Sequence, residues 1–259
     1  MNKVVRLVCA GVLLAATLGA AARDWSLVRI AVEGAYPPFS SVNADGTLVG
    51  FDIDFANALC EQMQVRCTLV QQDWDGMIPA LLARKYDAIV ASMSITQERK
   101  LKVDFTHKYY QTPARFARRK GSGIEISKAG LAGRSVGVQR ATTHDNFVSA
   151  QFGDAAFIKR YASQDEAYLD AAAGRLDLLL ADSVALQDGF LATPAGQAWE
   201  FTGPGYTDAA YFGEGIGIAV RKGEQALLHK LNAAIEAIRS NGTYKRINDR
   251  YFAFDVYGG

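Results

Sequence analysis

Short apolar runs alternate along this chain with stretches whose apolar residues recur at helical spacing, the pattern of βαβ units feeding a largely parallel sheet. Residues 28–32 (VRIAV) read as a first strand. Gly50-Phe51-Asp52 then opens a helix to about Met63, with Ile53, Ala56, Leu59, Cys60 and Met63 on one face. The spacing predicts a second strand over 67–70, a second helix over 75–85 and a third strand over 86–91. Similar units follow, with strands at 135–138, 157–161, 176–181 and 216–221 and helices at 143–152 and 164–174. A last helix is expected over 224–240, with Leu228, Leu231, Ile235 and Ile238 inward and Asn241-Gly242 as its stop.

Two halves of this pattern echo each other. Tyr86-Asp87-Ala88-Ile89-Val90-Ala91-Ser92 matches Leu176-Asp177-Leu178-Leu179-Leu180-Ala181-Asp182, and Ile30-Ala31-Val32-Glu33 matches Val136-Gly137-Val138-Gln139. Two similar α/β lobes are implied. Ligands of open α/β sheets bind beyond the carboxyl ends of the strands, so Glu33, Ser92, Gln139 and Asp182 are expected at one crevice.

The first 22 residues stand outside this pattern. Lys3 and Arg6 precede an apolar run of 12, residues 7–18, and Gly19-Ala20-Ala21-Ala22 supplies a small-residue cleavage site, so residues 1–22 read as a secretory signal peptide. The run is too short to span a bilayer, and no later segment approaches the ~20 apolar residues a transmembrane helix requires. An exported, soluble protein is expected. Cys9 leaves with the leader, so Cys60 and Cys67 remain as an even pair in an oxidising compartment and are expected to form a disulfide. No histidine lies near them, and no metal site is expected.

Charge and composition narrow the partners. The 259 residues carry 28 Lys+Arg against 27 Asp+Glu, a net charge of +1, which gives no basis for nucleic-acid binding. Losing Lys3 and Arg6 with the leader leaves 26 against 27, or −1. The one basic cluster, 115–120 (RFARRK), reads as a solvated surface turn. Nucleophilic catalysis lacks its parts, since there is no G-x-S-x-G elbow and His107, His144 and His229 are scattered. No H-E-x-x-H or P-loop occurs, and Gly213-Glu214-Gly215-Ile216-Gly217 precedes a strand instead of following one, so no cofactor is expected.

What remains suits a small zwitterion, and here a family resemblance becomes specific. The segments that carry it are Ala35-Tyr36-Pro37-Pro38-Phe39, Gly50-Phe51-Asp52-Ile53-Asp54, Trp74-Asp75-Gly76-Met77-Ile78-Pro79, Ser92-Met93-Ser94-Ile95-Thr96-Gln97-Glu98-Arg99, Val136-Gly137-Val138-Gln139 and Tyr211-Phe212-Gly213-Glu214-Gly215. In this order and spacing the chain resembles the periplasmic solute-binding proteins of polar amino-acid ABC importers, in particular the lysine/arginine/ornithine and arginine/ornithine binders. The likeness covers essentially the whole chain beyond the leader. It implies a two-lobed type II periplasmic-binding-protein fold, with two doubly wound sheets joined by two hinge strands. The chain would cross between lobes near 110–112 and 208–212, making lobe I from 23–111 and 212–259 and lobe II from 112–211. It also implies a periplasmic location, an inner-membrane permease as partner, hinge closure around one ligand and a monomer.

The resemblance assigns roles residue by residue. Arg99 aligns with the arginine that grips the ligand α-carboxylate, for which a guanidinium fork is well suited. Ser94, Thr142 and Thr143 line the same subsite, and Asp182 would accept the α-ammonium, a role compatible with capping the helix after it. Tyr36 and Trp74 align with two aromatics that sandwich the ligand side chain, and Glu33 would meet a distal cation. Ser92 and Gln139 complete the ligand-binding set. Three departures alter the pattern: Ala91 stands for Ser, Gln139 for Leu and Ala141 for a frequent Gly. Arginine is the expected ligand, followed by ornithine and lysine, with opines or histidine as alternatives because Glu33 and Trp74 also occur together in opine binders. A secreted cyclohexadienyl or arogenate dehydratase on the same scaffold is the competing class, with Glu33 or Asp182 as general acid. A ligand-sensing receptor domain is a third.

Overall fold

The computed structural model describes residues 25–258, and the leader, 1–22, lies outside them. The chain starts with β1 (Leu27–Val32) and a three-stranded antiparallel meander of β2 (Ala35–Tyr36), β3 (Ser40–Val42) and β4 (Leu48–Val49). It continues through α1 (Phe51–Met63), β5 (Arg66–Gln71), α2 (Met77–Leu82), β6 (Ala88–Ile89), α3 (Gln97–Lys100) and β7 (Val103–Tyr110). Three residues later come β8 (Ala114–Arg119), β9 (Ser135–Gln139), α4 (Thr143–Phe152), β10 (Phe157–Tyr161), α5 (Gln164–Ala172), β11 (Leu178–Asp182), α6 (Ser183–Leu186) and β12 (Trp199–Tyr206). After α7 (Ala209–Phe212) the chain returns to β13 (Ile216–Arg221), α8 (Gln225–Ser240) and α9 (Thr243–Tyr251).

Two five-stranded sheets result, ordered β5-β1-β6-β13-β7 and β10-β9-β11-β8-β12. Each is parallel except for one strand, β13 in the first and β8 in the second. The reason is geometric. β13 and β8 are the strands the chain enters on arriving from the other lobe, at the side where the parallel strands end, so each runs away from the crevice and against its neighbours.

The internal echo is a register. Ile30 pairs with Ala88 and Ala31 with Ile89, and at the matching positions of the second sheet Val136 pairs with Leu178 and Gly137 with Leu179. An aspartate closes each strand pair. The Asp87 N–H donates to the Arg29 carbonyl at 2.8 Å while its carboxylate accepts the Arg29 N–H at 3.1 Å. Asp177 does the same with Ser135, at 3.1 and 2.8 Å.

Several elements depart from expectation. The second helix is a single 3₁₀ turn at Trp74–Gly76 followed by α2, which stops at Leu82 ahead of Arg84 in the left-handed region (φ 60°). Residues 115–120 are not a surface turn, for 115–119 lie in β8, between β11 and β12. Their charges are carried by neighbours: Arg115 and Arg119 stack over Phe201 and Trp199 at 4.3 and 5.4 Å, and the Arg118 Nε donates to Glu200 at 3.2 Å. Lone arginine stems pack well on aromatic faces, which is why so charged a strand is stable here. In α8 Leu227 is fully buried and Leu228 only partly, and α9 follows the Asn241-Gly242 stop.

Helices α1, α8 and α9 cover one face of the first sheet, and Cys60 at the end of α1 is disulfide-bonded to Cys67 in β5. On the opposite face of the sheet, against α2, Asp87, 1% exposed, receives Arg29 Nε at 3.0 Å and Arg221 Nη2 at 3.1 Å, and Arg221 also donates to the Leu81 and Tyr86 carbonyls. Breaking a buried pair leaves an uncompensated charge. Asp87→Ala is therefore expected to cost about 3–5 kcal/mol of unfolding free energy in urea titration; a loss under about 1 kcal/mol would show that the pair is not structural.

Candidate ligand-binding site

The cleft between the sheets encloses a cavity, and all ten residues singled out from the sequence line it. From the first lobe come Glu33 just after β1, Tyr36 on β2, Trp74 on its 3₁₀ turn, Ser92 and Ser94 after β6, and Arg99 on α3. The second lobe supplies Gln139 at the end of β9, Thr142 and Thr143 at the start of α4, and Asp182 at the end of β11. The crevice rule for parallel strands accounts for four of them, because β1, β6, β9 and β11 all end here.

At one end the groups suit an anion. The Arg99 Nη1 donates to the Ser94 carbonyl at 3.0 Å and Nη2 to the Ala141 carbonyl at 3.4 Å, while its Cζ lies 5.2 Å from the Trp74 ring centroid. No carboxylate ion-pairs with Arg99 among the described residues, and burial pulls its pKa down to about 10, still cationic at neutral pH. Thr142 caps α4 by accepting the Asp145 N–H at 3.2 Å, which aims the helix N-terminus and its first amides at the cavity. The Ser94 and Thr143 hydroxyls meet at 3.4 Å across the lobes.

The carboxylates lie apart from it. Asp182 Oδ1 accepts the Val184 and Ala185 N–H groups at 2.8 and 3.3 Å, capping α6, and Oδ2 accepts the Thr112 hydroxyl. Burial raises Asp182 to about 6 against these hydrogen bonds. Glu33, 6% exposed, accepts the Gln139 Nε2–H at 2.5 Å from the facing lobe, and Gln139 also donates to the Ala162 carbonyl at 3.2 Å. Burial pushes Glu33 up to about 7, with Asp165, Asp52 and Asp73 adding to the rise. Neither Glu33 nor Asp182 has an ion-pair partner among the described residues. The lobes also meet at the rim, where Trp74 Nε1 donates to the Ala141 carbonyl at 3.2 Å and Arg140 pairs with Asp75.

Other lining residues were not placed in the site from the sequence, His144, Tyr110 and Thr112 among them. His144, second in α4, is pulled down to about 3 by burial and by Arg99, and is therefore neutral. Tyr110 and Thr112 flank the first crossing between lobes. The helix predicted at 143–152 could have flagged His144, because its N-terminus follows a strand that ends at the crevice. Near the second crossing Gly213 has φ 77°, and a Cβ there would come within 2.3 Å of the Ile95 carbonyl, so only glycine fits.

Two lobes whose strands end at one cleft lined by charges of both signs are suited to holding a small charged solute. The chain belongs to the bacterial extracellular solute-binding proteins, family 3, whose family model matches residues 28–254. It is 57% identical over 232 residues to the L-arginine-binding protein of Pseudomonas aeruginosa, covering 89% of this chain and 90% of that one. Identity to the lysine/arginine/ornithine-binding periplasmic protein of Escherichia coli is 42% over 232 residues, covering 89% of each. Among solved structures, an ancestral arginine-binding protein bound to arginine superposes with a TM-score of 0.81 at 34% identity, over 88% of this chain and 99% of its own.

The buried carboxylates set a pH dependence. Their folded pKa values lie above the unfolded ones, so their contribution to stability is complete below about pH 4 and is lost as pH rises through about 6 for Asp182 and about 7 for Glu33. Ligand-stripped protein should therefore melt at lower temperature at pH 8 than at pH 5, and Glu33→Gln should remove part of that difference. An equal pH dependence in wild type and variant would take Glu33 out of the account.

Proposed function

We propose that this chain is the periplasmic substrate-binding component of an ABC importer for cationic L-amino acids, arginine first, then ornithine and lysine. The observation that carries this reading is the charge set of the cleft: two buried carboxylates and one half-buried guanidinium, none with an ion-pair partner among the described residues. Buried charge demands compensation. The complement of two negative groups and one positive is a molecule with two cations and one anion, which is an amino acid with a cationic side chain. The relatives support the same class, since they are binding proteins named for arginine and for lysine, arginine and ornithine.

In this reading Arg99, with Ser94 and the first amides of α4 behind Thr142 and Thr143, holds the α-carboxylate. Asp182 takes the α-ammonium, and its Thr112 and amide contacts keep it in place. The side chain passes between Tyr36 and Trp74, where cation–π attraction adds about 1–2 kcal/mol. Its distal cation ends at Glu33, with Ser92 and Gln139 beside it. Residues 23–111 with 212–259 and residues 112–211 form the units that close as a hinge around the ligand, and the closed pair is what an inner-membrane permease reads. Residues 1–22 direct the chain to the periplasm and are removed there, and the mature protein acts as a monomer. No bond is made or broken in this cycle.

Calorimetric titration of refolded protein against arginine, ornithine, lysine, histidine, octopine and glutamine tests the reading. One-to-one binding led by arginine is expected. Silence toward every cationic amino acid would overturn it, and phenylpyruvate appearing from prephenate would place the protein with the dehydratases. Asp182→Ala should lose about 2–5 kcal/mol of arginine affinity, since it leaves a buried ammonium unpaired. Glu33→Gln should weaken arginine more than glutamine; equal losses would refute the distal role of Glu33.

A further inference from the structure

Behind Ser92 lies a closed ring of hydrogen bonds. The Ser92 N–H donates to the Tyr109 hydroxyl oxygen at 3.2 Å, the Tyr109 hydroxyl donates to Asp52 Oδ1 at 2.9 Å, and the Ser92 hydroxyl donates to Asp52 Oδ2 at 3.0 Å. Asp52 and Tyr109 are fully buried, whereas Ser92 lines the cleft. Asp52 sits in the first turn of α1, where the helix N-terminus favours a carboxylate. Ser92 itself has φ 51°, a left-handed conformation unusual for serine, and the ring holds it there.

The ring has a direction. The Tyr109 oxygen receives a proton from the Ser92 amide, so its own proton goes to Asp52. An ionised Asp52 can only accept, so the Ser92 hydroxyl must also point its proton inward. What Ser92 then offers the cleft is lone pairs. We propose that Asp52 is a positioning residue that makes Ser92 an obligate hydrogen-bond acceptor, so that the ligand atom meeting Ser92 must be an N–H donor. This rests on the amino-acid reading of the cleft and narrows it: the field of Glu33 selects charge, and the polarity of Ser92 selects donors over acceptors.

Asp52→Asn reverses the polarity with almost no change of shape. Tyr109 must still donate, so it takes the Asn oxygen, and the Asn NH₂ faces Ser92 and donates to it. The Ser92 proton is then displaced into the cleft, toward a cation. The variant is thus predicted to be worse for arginine than deletion of the hydroxyl.

Arginine titrations at about pH 8, above the value of about 7 to which burial raises Asp52, test this on wild type, D52N, S92A and D52N/S92A. We expect arginine affinity to fall about 30-fold in D52N and about fivefold in S92A, and the double variant to return to about the S92A level. That rescue is the signature, because a purely structural Asp52 would leave the double variant weaker than either single one. A D52N loss that persists in the S92A background overturns the proposal, placing Asp52's effect in packing or in its field on Glu33. Wild type that binds no cationic amino acid overturns the reading of the cleft, and this inference with it. Should D52N fail to fold, S92A decides: unchanged affinity overturns the proposal, and a loss near fivefold upholds it.

Discussion

Glu33 and Asp182 lie buried and Arg99 half-buried between two lobes, and none of the three is paired with another. That burial of uncompensated charge is the constraint on which the molecule turns. Each group is held by hydrogen bonds, Asp182 within its own lobe by Thr112 and the amides of α6, Glu33 by Gln139 from the facing lobe, and Arg99 by one carbonyl from each lobe. Hydrogen bonds orient such groups without neutralising them. Selectivity and the coupling of binding to closure can then share one origin, since a cleft that closes around the wrong charges keeps the desolvation cost.

The scaffold places these groups by repetition. Two sheets with matching strand order and matching register end their central strands at one crevice, so that Glu33 faces Gln139 and Ser92 stands opposite Asp182 in the pattern. The matched halves have diverged in charge. Asp87 is buried beneath two arginines, whereas its counterpart Asp177 stands at a partly exposed edge with Arg134 at 3.6 Å. The buried version ties β1, β6 and β13 together at the end of the first sheet away from the cleft. Neutral His144 adds to the asymmetry, because it sits beside Arg99 without contributing a second cation. The end of the cleft around Arg99 thus has one full charge and a set of dipoles.

Much of this was legible in the chain. Strand and helix positions follow from burial of a face, which acts within a few residues, so β10, β13 and α4 fall where the periodicity puts them. The repeated Asp87 and Asp177 strands disclosed two lobes, and strand ends disclosed four cleft residues. The failures share a cause as well. In β8, Arg115, Arg118 and Arg119 read as solvated because the aromatic faces and the glutamate that receive them belong to β12, about 80 residues on. In α9 only Tyr244, Ile247 and Asn248 are buried, too few to make an apolar stripe.

The sequence by itself determined which residues bear charge, where strands end, and so which chemistry is available to the cleft. It could not determine the state of those charges. Gln139 lies 106 residues from Glu33, Thr112 lies 70 from Asp182, and Tyr109 lies 57 from Asp52. Desolvation, proton direction and pKa depend on what surrounds a group in space, and for these groups the surroundings come from distant segments and from the facing lobe. Only the tertiary structure could decide that two carboxylates would be buried with no cation paired to them among the described residues, that His144 would be neutral, and that the Ser92 hydroxyl would turn its proton away from the cleft.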